Sequence, residues 1–223
     1  AFPRCEQLFR DPYKPLQFVH FSDVHSIRDH WDRIMMFINH YEKYLTFAIH
    51  TGDAVASNYE GNTDLYRFGV PTKLPVLSCL GNHDKHDGTM QELIEALERS
   101  GIQVLYDETV EVKEEFTLIG RKDRTEEDRL PLEKLMSGVN LEKPAILLEH
   151  QPYELDIAQQ EGVDLMVSGH THHGQIFPGN LITEAIYEND WGYLKKGQMD
   201  SIVTSGFGFW GPPIRIGTRS EIV

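Results

Sequence analysis

Cysteine is scarce in this chain of 223 residues, with only Cys5 and Cys79 present. Two are too few for the disulfide framework of a small secreted scaffold. Cys79 lies inside an apolar run and reads as a buried thiol, so redox compartment stays open. Long apolar stretches are also lacking. No run reaches the ~18 residues of a membrane-spanning helix. The opening AFPRCEQLFRDPYKP has neither the basic onset nor the apolar centre of a signal peptide. The chain starts at Ala1 rather than Met, which leaves room for an upstream anchor or signal. As read it is soluble; with such a segment it would be membrane-associated or extracytoplasmic. Positive charge is in deficit: 21 Lys and Arg stand against 35 Asp and Glu, a formal net charge of −14. That argues against a general nucleic-acid binder, which usually carries a basic face to displace counterions. An anionic substrate remains open, because bound divalent cations can dominate the local field of a site. Repeats, low-complexity tracts and long linkers are missing, so the expected organisation is a single domain over 1–223, with 1–15 as an N-terminal extension.

What is present is a recurrence of short apolar runs. They are Leu16–Phe21, Thr46–Ile49, Leu74–Leu80, Ala145–Leu148 and Asp164–Val167. Several are too apolar to alternate, as expected of strands covered on both faces. Helical patterns lie between them. Over Trp31–Leu45, apolar residues at Trp31, Ile34, Met35, Ile38, Tyr41 and Leu45 make one stripe. Over Thr89–Ser100, Thr89 and Glu92 have capping-box spacing, Met90, Leu93, Ile94 and Leu97 make the stripe, and Gly101 suits the stop. Alternating strand and helix implies an α/β domain. In the last quarter, Leu181–Tyr187, Ser201–Ser205 and Ile214–Val223 read as antiparallel strands of a second sheet, with no helix between them.

The residues after each apolar run carry the chemistry. In order they are Asp23 and His25, then Gly52-Asp53, then Gly81-Asn82-His83-Asp84, then His150-Gln151-Pro152, then Gly169-His170-Thr171-His172-His173. Side chains at the C-terminal ends of adjacent strands converge on one rim of a sheet. Carboxylate, amide oxygen and imidazole suit Mn, Fe or Zn, and the lack of thiolate speaks against a structural zinc finger. Asp23, His25, Asp53, Asn82, His150, His170 and His172 make seven ligand-type residues. With one bridging carboxylate they supply four ligands to each of two metals. Two metals roughly 3.5–4 Å apart activate a water and clamp the oxygens of a phosphoryl displacement. His170 and His172, two apart, would point the same way in an extended segment. Each feature has a plainer reading by itself: a polar strand end for Asp23 and His25, a common turn for Gly52-Asp53, a left-handed turn residue for Asn82, a satisfied half-buried histidine for His150. Their joint occurrence at five strand ends favours the metal site.

The series Asp23-x-His25, Gly52-Asp53, Gly81-Asn82-His83-Asp84, His150-x-Pro152 and Gly169-His170-x-His172 resembles the calcineurin-like metallophosphoesterase family, in family order from about Leu16 onward. The resemblance implies a four-layer αββα sandwich, two mixed β-sheets flanked by helices. It implies Asp23, His25 and His172 on one metal, Asn82, His150 and His170 on the other, and Asp53 bridging. It also implies that His83, not a ligand, faces the scissile phosphate and stabilises its charge or protonates the leaving oxygen. Asp84 would orient His83 or cap the turn. Protein phosphatases of the family carry Gly-Asp-x-x-Asp-Arg-Gly; here Ala56 replaces the second Asp and the Arg is missing, which speaks against a phosphoprotein substrate. The stretches Glu149-His150-Gln151-Pro152, Ser168–Gln175 with Phe177-Pro178, and Ser205–Ile222 are similar to a bacterial branch of membrane-anchored phosphoesterases, some associated with lipid-precursor nucleotide sugars. The expected substrate is therefore a small-molecule or lipid-linked phosphodiester or pyrophosphate.

Two rivals stay on the page. A non-enzymatic interaction module on the same fold would erode its ligands, whereas all seven and His83 are present. A mononuclear metalloenzyme fits Asn82 and a bridging Asp53 poorly. Other residues read more plainly: His20 and His50 as core histidines, His86 and His173 as neighbours of the site, Phe209 and Trp210 as either pocket wall or loop packing. Arg121 in the polar stretch 121–129 reads as a solvated arginine, and the acidic groups at 111–115 and 126–128 as solvated faces.

Overall fold

The computed structural model describes residues 16–25, 28–56, 68–69, 71–85, 90–112 and 115–223. The chain alternates strand and helix through its first half: β1 (Phe18–Phe21), α1 (Arg28–Tyr41), β2 (Phe47–Thr51), β3 (Val76–Cys79), α2 (Met90–Arg99) and β4 (Ile102–Val104). It continues with β5 (Glu108–Val112), β6 (Phe116–Gly120), α3 (Leu132–Met136), β7 (Ala145–Leu148), α4 (Leu155–Gln160) and β8 (Leu165–Ser168), and closes with α5 (Gly179–Ile186), β9 (Gly192–Lys196) and β10 (Met199–Val203). All five apolar runs contain a strand within a residue or two of the expected bounds.

Strands β1 to β4 form one sheet in sequence order, and β5-β6-β7-β8-β10-β9 form the other. The four-stranded sheet is parallel throughout rather than mixed. In the six-stranded sheet β6, β7, β8 and β10 run parallel, with β5 and β9 antiparallel at its edges.

Because successive strand residues face opposite sides, each buried strand serves two layers. In β2, Ala48 faces the α1–α2 side with Val76 of β3, while Phe47 and Ile49 face the space between the sheets. In β7, Ile146 and Leu148 face that space, while Ala145 and Leu147 pack with Leu132, Leu135 and Leu155 of α3 and α4. Three apolar layers between four layers of secondary structure follow, which is the αββα sandwich. Phe47 stacks on Phe18 at 5.0 Å and on Phe116 at 5.1 Å, so one ring ties the two sheets together. The α1 stripe buries Trp31, Ile34, Met35 and Ile38, but Tyr41 is exposed and Leu45 only partly covered. In α2 the stripe holds at Leu93 and Leu97, and Gly101 follows at φ 84°; Thr89, half of the expected capping box, lies outside the described residues.

The last quarter departs from expectation. Leu181–Tyr187 belongs to α5 and its C-terminal cap, not to a strand. Asn180 and Thr183 turn inward, Thr183 Oγ1 donating to Asp190 Oδ2 at 2.8 Å, while Leu181, Ile182 and Ile186 face outward. Polar anchoring holds this helix down, and outward apolar residues imitate a strand pattern. β10 is present as expected, antiparallel to β9 but parallel to β8. Ile214–Val223 forms no ladder; Ile216 makes an isolated bridge with Ile176, and His20 and Val223 exchange a pair of backbone hydrogen bonds. No described helix is long and apolar enough to cross a membrane.

Candidate metal centre

Parallel strands end on one edge, and β1, β2, β3, β7 and β8 place their following loops there. Backbone bonds stitch these loops together: Asp23 N–H to Gly52 O, His25 N–H to Asp53 O and Gly169 N–H to His150 O, each 3.0 Å. Both sheets thus contribute to one rim.

Two groups of side chains converge at this rim. Asp23, His25 and His172 form one; Asp53, His150 and His170 form the other. In the first, His25 Nε2 and His172 Nε2 are 3.2 Å apart and His172 Nε2 is 3.3 Å from Asp23 Oδ1. Asp23 Oδ2 accepts the His170 N–H at 3.0 Å, but Oδ1 is buried with no hydrogen-bond partner. In the second, His150 Nδ1 lies 2.7 Å from Thr51 O. A carbonyl only accepts, so Nδ1 carries a proton, and in the neutral ring Nε2 keeps its lone pair. That nitrogen faces Asn82 Oδ1 at 3.1 Å, His170 Nδ1 at 3.2 Å and Asp53 Oδ2 at 3.4 Å. Acceptors meet acceptors here, an arrangement that favours a cation among them. Ligand atoms each about 2.1 Å from one ion, about 90–110° apart, lie about 3.0–3.4 Å from one another; these distances fit that spacing, while His25 Nε2 and Asp23 Oδ1 stand wider at 3.9 Å. Asp53 Oδ2 also lies 3.9 Å from His25 Nε2, so this oxygen reaches both groups. Asn82 is not among the left-handed residues, so a left-handed turn does not explain it.

Electrostatics agree. Burial opposes ionisation of Asp23, yet the imidazoles of His172, His150 and His25 hold its carboxyl well below the usual range. Burial likewise opposes Asp53, and His150 brings it down to about 2. Burial disfavours charge on His150, but Asp53 and Asp23 raise its pKa well above the ordinary imidazole value. Burial lowers His25, and burial with nearby His150 lowers His170 to about 4. The rim draws in positive charge while several of its imidazoles stay neutral.

The backbone bends to make this possible. Asp23, His25, Asp53, His170 and His172 all have φ between 50° and 70°. Such left-handed conformations cost on the order of 1 kcal/mol or more each in non-glycine residues and collect at functional sites. His170 and His172 therefore reach neighbouring groups through a turn, not through an extended segment, with His172 opening a short 3-10 turn to Gly174. Gly81 is required by proximity: a Cβ there would lie 2.7 Å from Asp53 N and 2.8 Å from His150 Cε1.

His83 sits at the same rim. Its N–H donates to Asp53 Oδ1 at 2.9 Å, and its ring lies 5.3 Å from that of His25. Asp84 does not orient it but caps the turn, accepting Gly81 N–H at 2.9 Å and Val55 N–H at 3.0 Å; burial and the Asp53 charge push its carboxyl up to about 7. His20 and His50 are buried core histidines bonded to Thr51 and Ser78 at 2.8 Å, with burial lowering each pKa to about 3. His173 is half-buried, 2.9 Å from Asp190 and stacked on Trp191, and lies with Glu184 and Asp190 in a third group. Phe209 packs near His30 and Arg215, whereas Trp210 is exposed. His86 lies outside the described residues.

Arg121 is a correction. It is buried, not solvated, and its guanidinium meets Glu149 at 3.2 Å, Glu154 at 2.9 Å and Leu130 O at 3.2 Å. Arg129 joins Glu149 too, so this buried ionic network braces the residue before His150. Arg215 was not singled out by sequence. It donates to Ser205 O at 2.9 Å and Gly208 O at 2.6 Å, and lies 3.3 Å behind His172 Nδ1. Lone arginines in Gly- and Pro-rich loops carry no signal that would have marked it.

A two-sheet sandwich with carboxylate and imidazole groups converging at the shared strand ends frames a candidate site for two metal ions. Residues 16–174 match the model of the calcineurin-like phosphoesterase family, and the chain belongs to that family. It is 31% identical over 223 residues to an uncharacterized metallophosphoesterase of Aquifex aeolicus, covering 93% of this chain and 83% of that protein. A metallophosphoesterase of Helicobacter pylori, also uncharacterized, is 34% identical over 148 residues, 64% of this chain but only 40% of the longer relative. Phosphodiesterase YaeI of Escherichia coli is 28% identical over 163 residues, covering 61% of this chain and 58% of its own length. Among solved structures, TT1561 of Thermus thermophilus superposes with a TM-score of 0.58 at 11% identity, covering 86% of this chain and 90% of that one, a likeness of fold.

Proposed function

We propose that this chain hydrolyses a phosphodiester or pyrophosphate bond of a small or lipid-linked molecule by attack of water on phosphorus. Asp23, His25 and His172 would hold one divalent ion, Asn82, His150 and His170 a second, and Asp53 both; Mn, Fe and Zn suit these donors. The observation that carries the reading is Asp53 Oδ2, 3.4 Å from His150 and 3.9 Å from His25, standing where the two groups of carboxylate and imidazole side chains meet. Bound ions would supply Lewis acidity toward water and the phosphoryl oxygens. The chain's own part is to hold the clusters in register and to keep the His83 ring beside them as proton donor to the leaving oxygen.

Ala56 in place of the family's second acid supports small esters over phosphoproteins, and the name of the E. coli relative supports a diester. The described residues build one set of layers, which supports one domain. Association with a membrane through an upstream segment belongs to the same proposal, supported by a zebrafish relative described as a transmembrane protein with a metallophosphoesterase domain.

Loaded in turn with Mn, Ni, Co, Zn and Fe, the folded protein is expected to bind about two ions per chain and cleave bis(p-nitrophenyl) phosphate. No cleavage of this diester or of a pyrophosphate such as ADP-ribose with any of them overturns the proposal. Two bound ions without turnover would instead favour an interaction module. Gly81→Ala is expected to push Asp53 and His150 apart and cost on the order of 100-fold in rate, with metal content below wild type. Unchanged rate and metal content would show that the close approach is not needed.

A further inference from the structure

The connection between β6 and α3 carries four cationic side chains, Arg121, Lys122, Arg124 and Arg129. Three are committed to protein acceptors. Arg121 and Arg129 are bound by Glu149 and Glu154, and Lys122 meets Asp128 at 2.7 Å. Arg124 differs. Its guanidinium lies 3.9 Å from the Tyr153 ring centroid, and among the described residues it has no hydrogen-bond acceptor. A guanidinium laid on an aromatic face keeps its in-plane N–H donors free for an anion.

Its setting points back to the rim. Tyr153 packs on Tyr187 at 4.9 Å, and Tyr187 meets the ring of His170 edge-on at 6.2 Å. Three successive ring contacts therefore lead from a candidate ligand to an uncommitted, exposed arginine. The segment bearing Arg124 is fixed. Asp123 accepts both Thr125 N–H and the Gln151 side-chain amide, each bond 2.9 Å, and Lys85 donates to Thr125 O at 2.8 Å. Glu154, which feels the Arg124 charge, and Asp123 already serve Arg121 and Gln151.

We propose that Arg124, seated on Tyr153, binds a second phosphate carried by the substrate beyond the scissile bond, so that pyrophosphate-linked molecules are preferred over simple diesters. This rests on the phosphoester hydrolysis proposed above. Arginine pairs with phosphate through two parallel N–H···O bonds, which a hydrophobic side chain cannot replace.

The test compares wild type, Arg124→Met and Arg124→Lys on ADP-ribose, which has a pyrophosphate, and on bis(p-nitrophenyl) phosphate, which has a single phosphate. A separate calorimetric titration measures α,β-methylene-ADP against AMP. Arg124→Met is expected to raise KM for ADP-ribose and Kd for α,β-methylene-ADP about tenfold, leaving bis(p-nitrophenyl) phosphate turnover and AMP affinity within about twofold of wild type. Arg124→Lys should recover part of the loss. Equal losses on both substrates, or an unchanged Kd for α,β-methylene-ADP, overturn the assignment. Should wild type cleave neither substrate, the hydrolase reading fails, and the two Kd values still decide the role of Arg124.

Discussion

Asp53→Asn is expected to reduce hydrolysis on the order of a thousandfold and to lower bound metal from two ions per chain toward one or none. The substitution is nearly isosteric, so the fold should survive it, and what changes is charge and donor pattern. Asp53 Oδ1 accepts the His83 N–H at 2.9 Å, and Oδ2 faces His25 and His150. An amide must turn its NH2 toward one of these. Turned inward, it presents N–H donors where a cation is to bind; turned outward, it sets donor against donor at His83 and loosens that loop. Either orientation also removes the negative charge that, with Asp23, raises His150 well above its ordinary pKa. Elemental analysis and initial rates on the same preparation check the prediction. Two retained ions with a rate within tenfold of wild type would falsify the bridging role.

His83→Ala is expected to lower turnover by about 100- to 10,000-fold while leaving metal content unchanged. The ring stands outside both ligand groups: the His83 backbone N–H bonds Asp53 Oδ1, and the ring meets that of His25 edge-on. The size of the loss should depend on the leaving group. An alkyl oxygen leaves poorly unless protonated, whereas p-nitrophenolate leaves well by itself. A proton donor therefore shows a larger loss on an alkyl ester than on bis(p-nitrophenyl) phosphate. Equal losses on the two would assign His83 to charge stabilisation at phosphorus, and no loss on either would remove it from the chemistry.

Sandwich and rim were legible for one physical reason. Strands buried on both faces are apolar along their whole length, so each shows as a short run, and the polar residue after it is conspicuous. Leu74–Leu80 followed by Gly81-Asn82-His83 is the clearest case. Backbone shape was not legible: nothing in Asp23, His25 or His172 announces a left-handed residue, and their reach depends on it. Helix α5 was missed because its exposed face, not its buried one, is apolar. Arg121 was misplaced because its partners Glu149 and Glu154 stand 28 and 33 residues away, and a charge-rich stretch alone does not reveal pairing across loops. Arg215 escaped for the same reason, since it acts on carbonyls and a ring that only folding brings near it.

The left-handed residues at the rim have a further bearing on how this protein can change. Glycine would sit at those five positions with less backbone strain, yet glycine offers no ligand atom. The chain best suited to folding there is thus not the chain best suited to binding an ion, and durability and activity pull in opposite directions at Asp23, His25, Asp53, His170 and His172. A variant relieved of ligand duty would gain stability first at these sites.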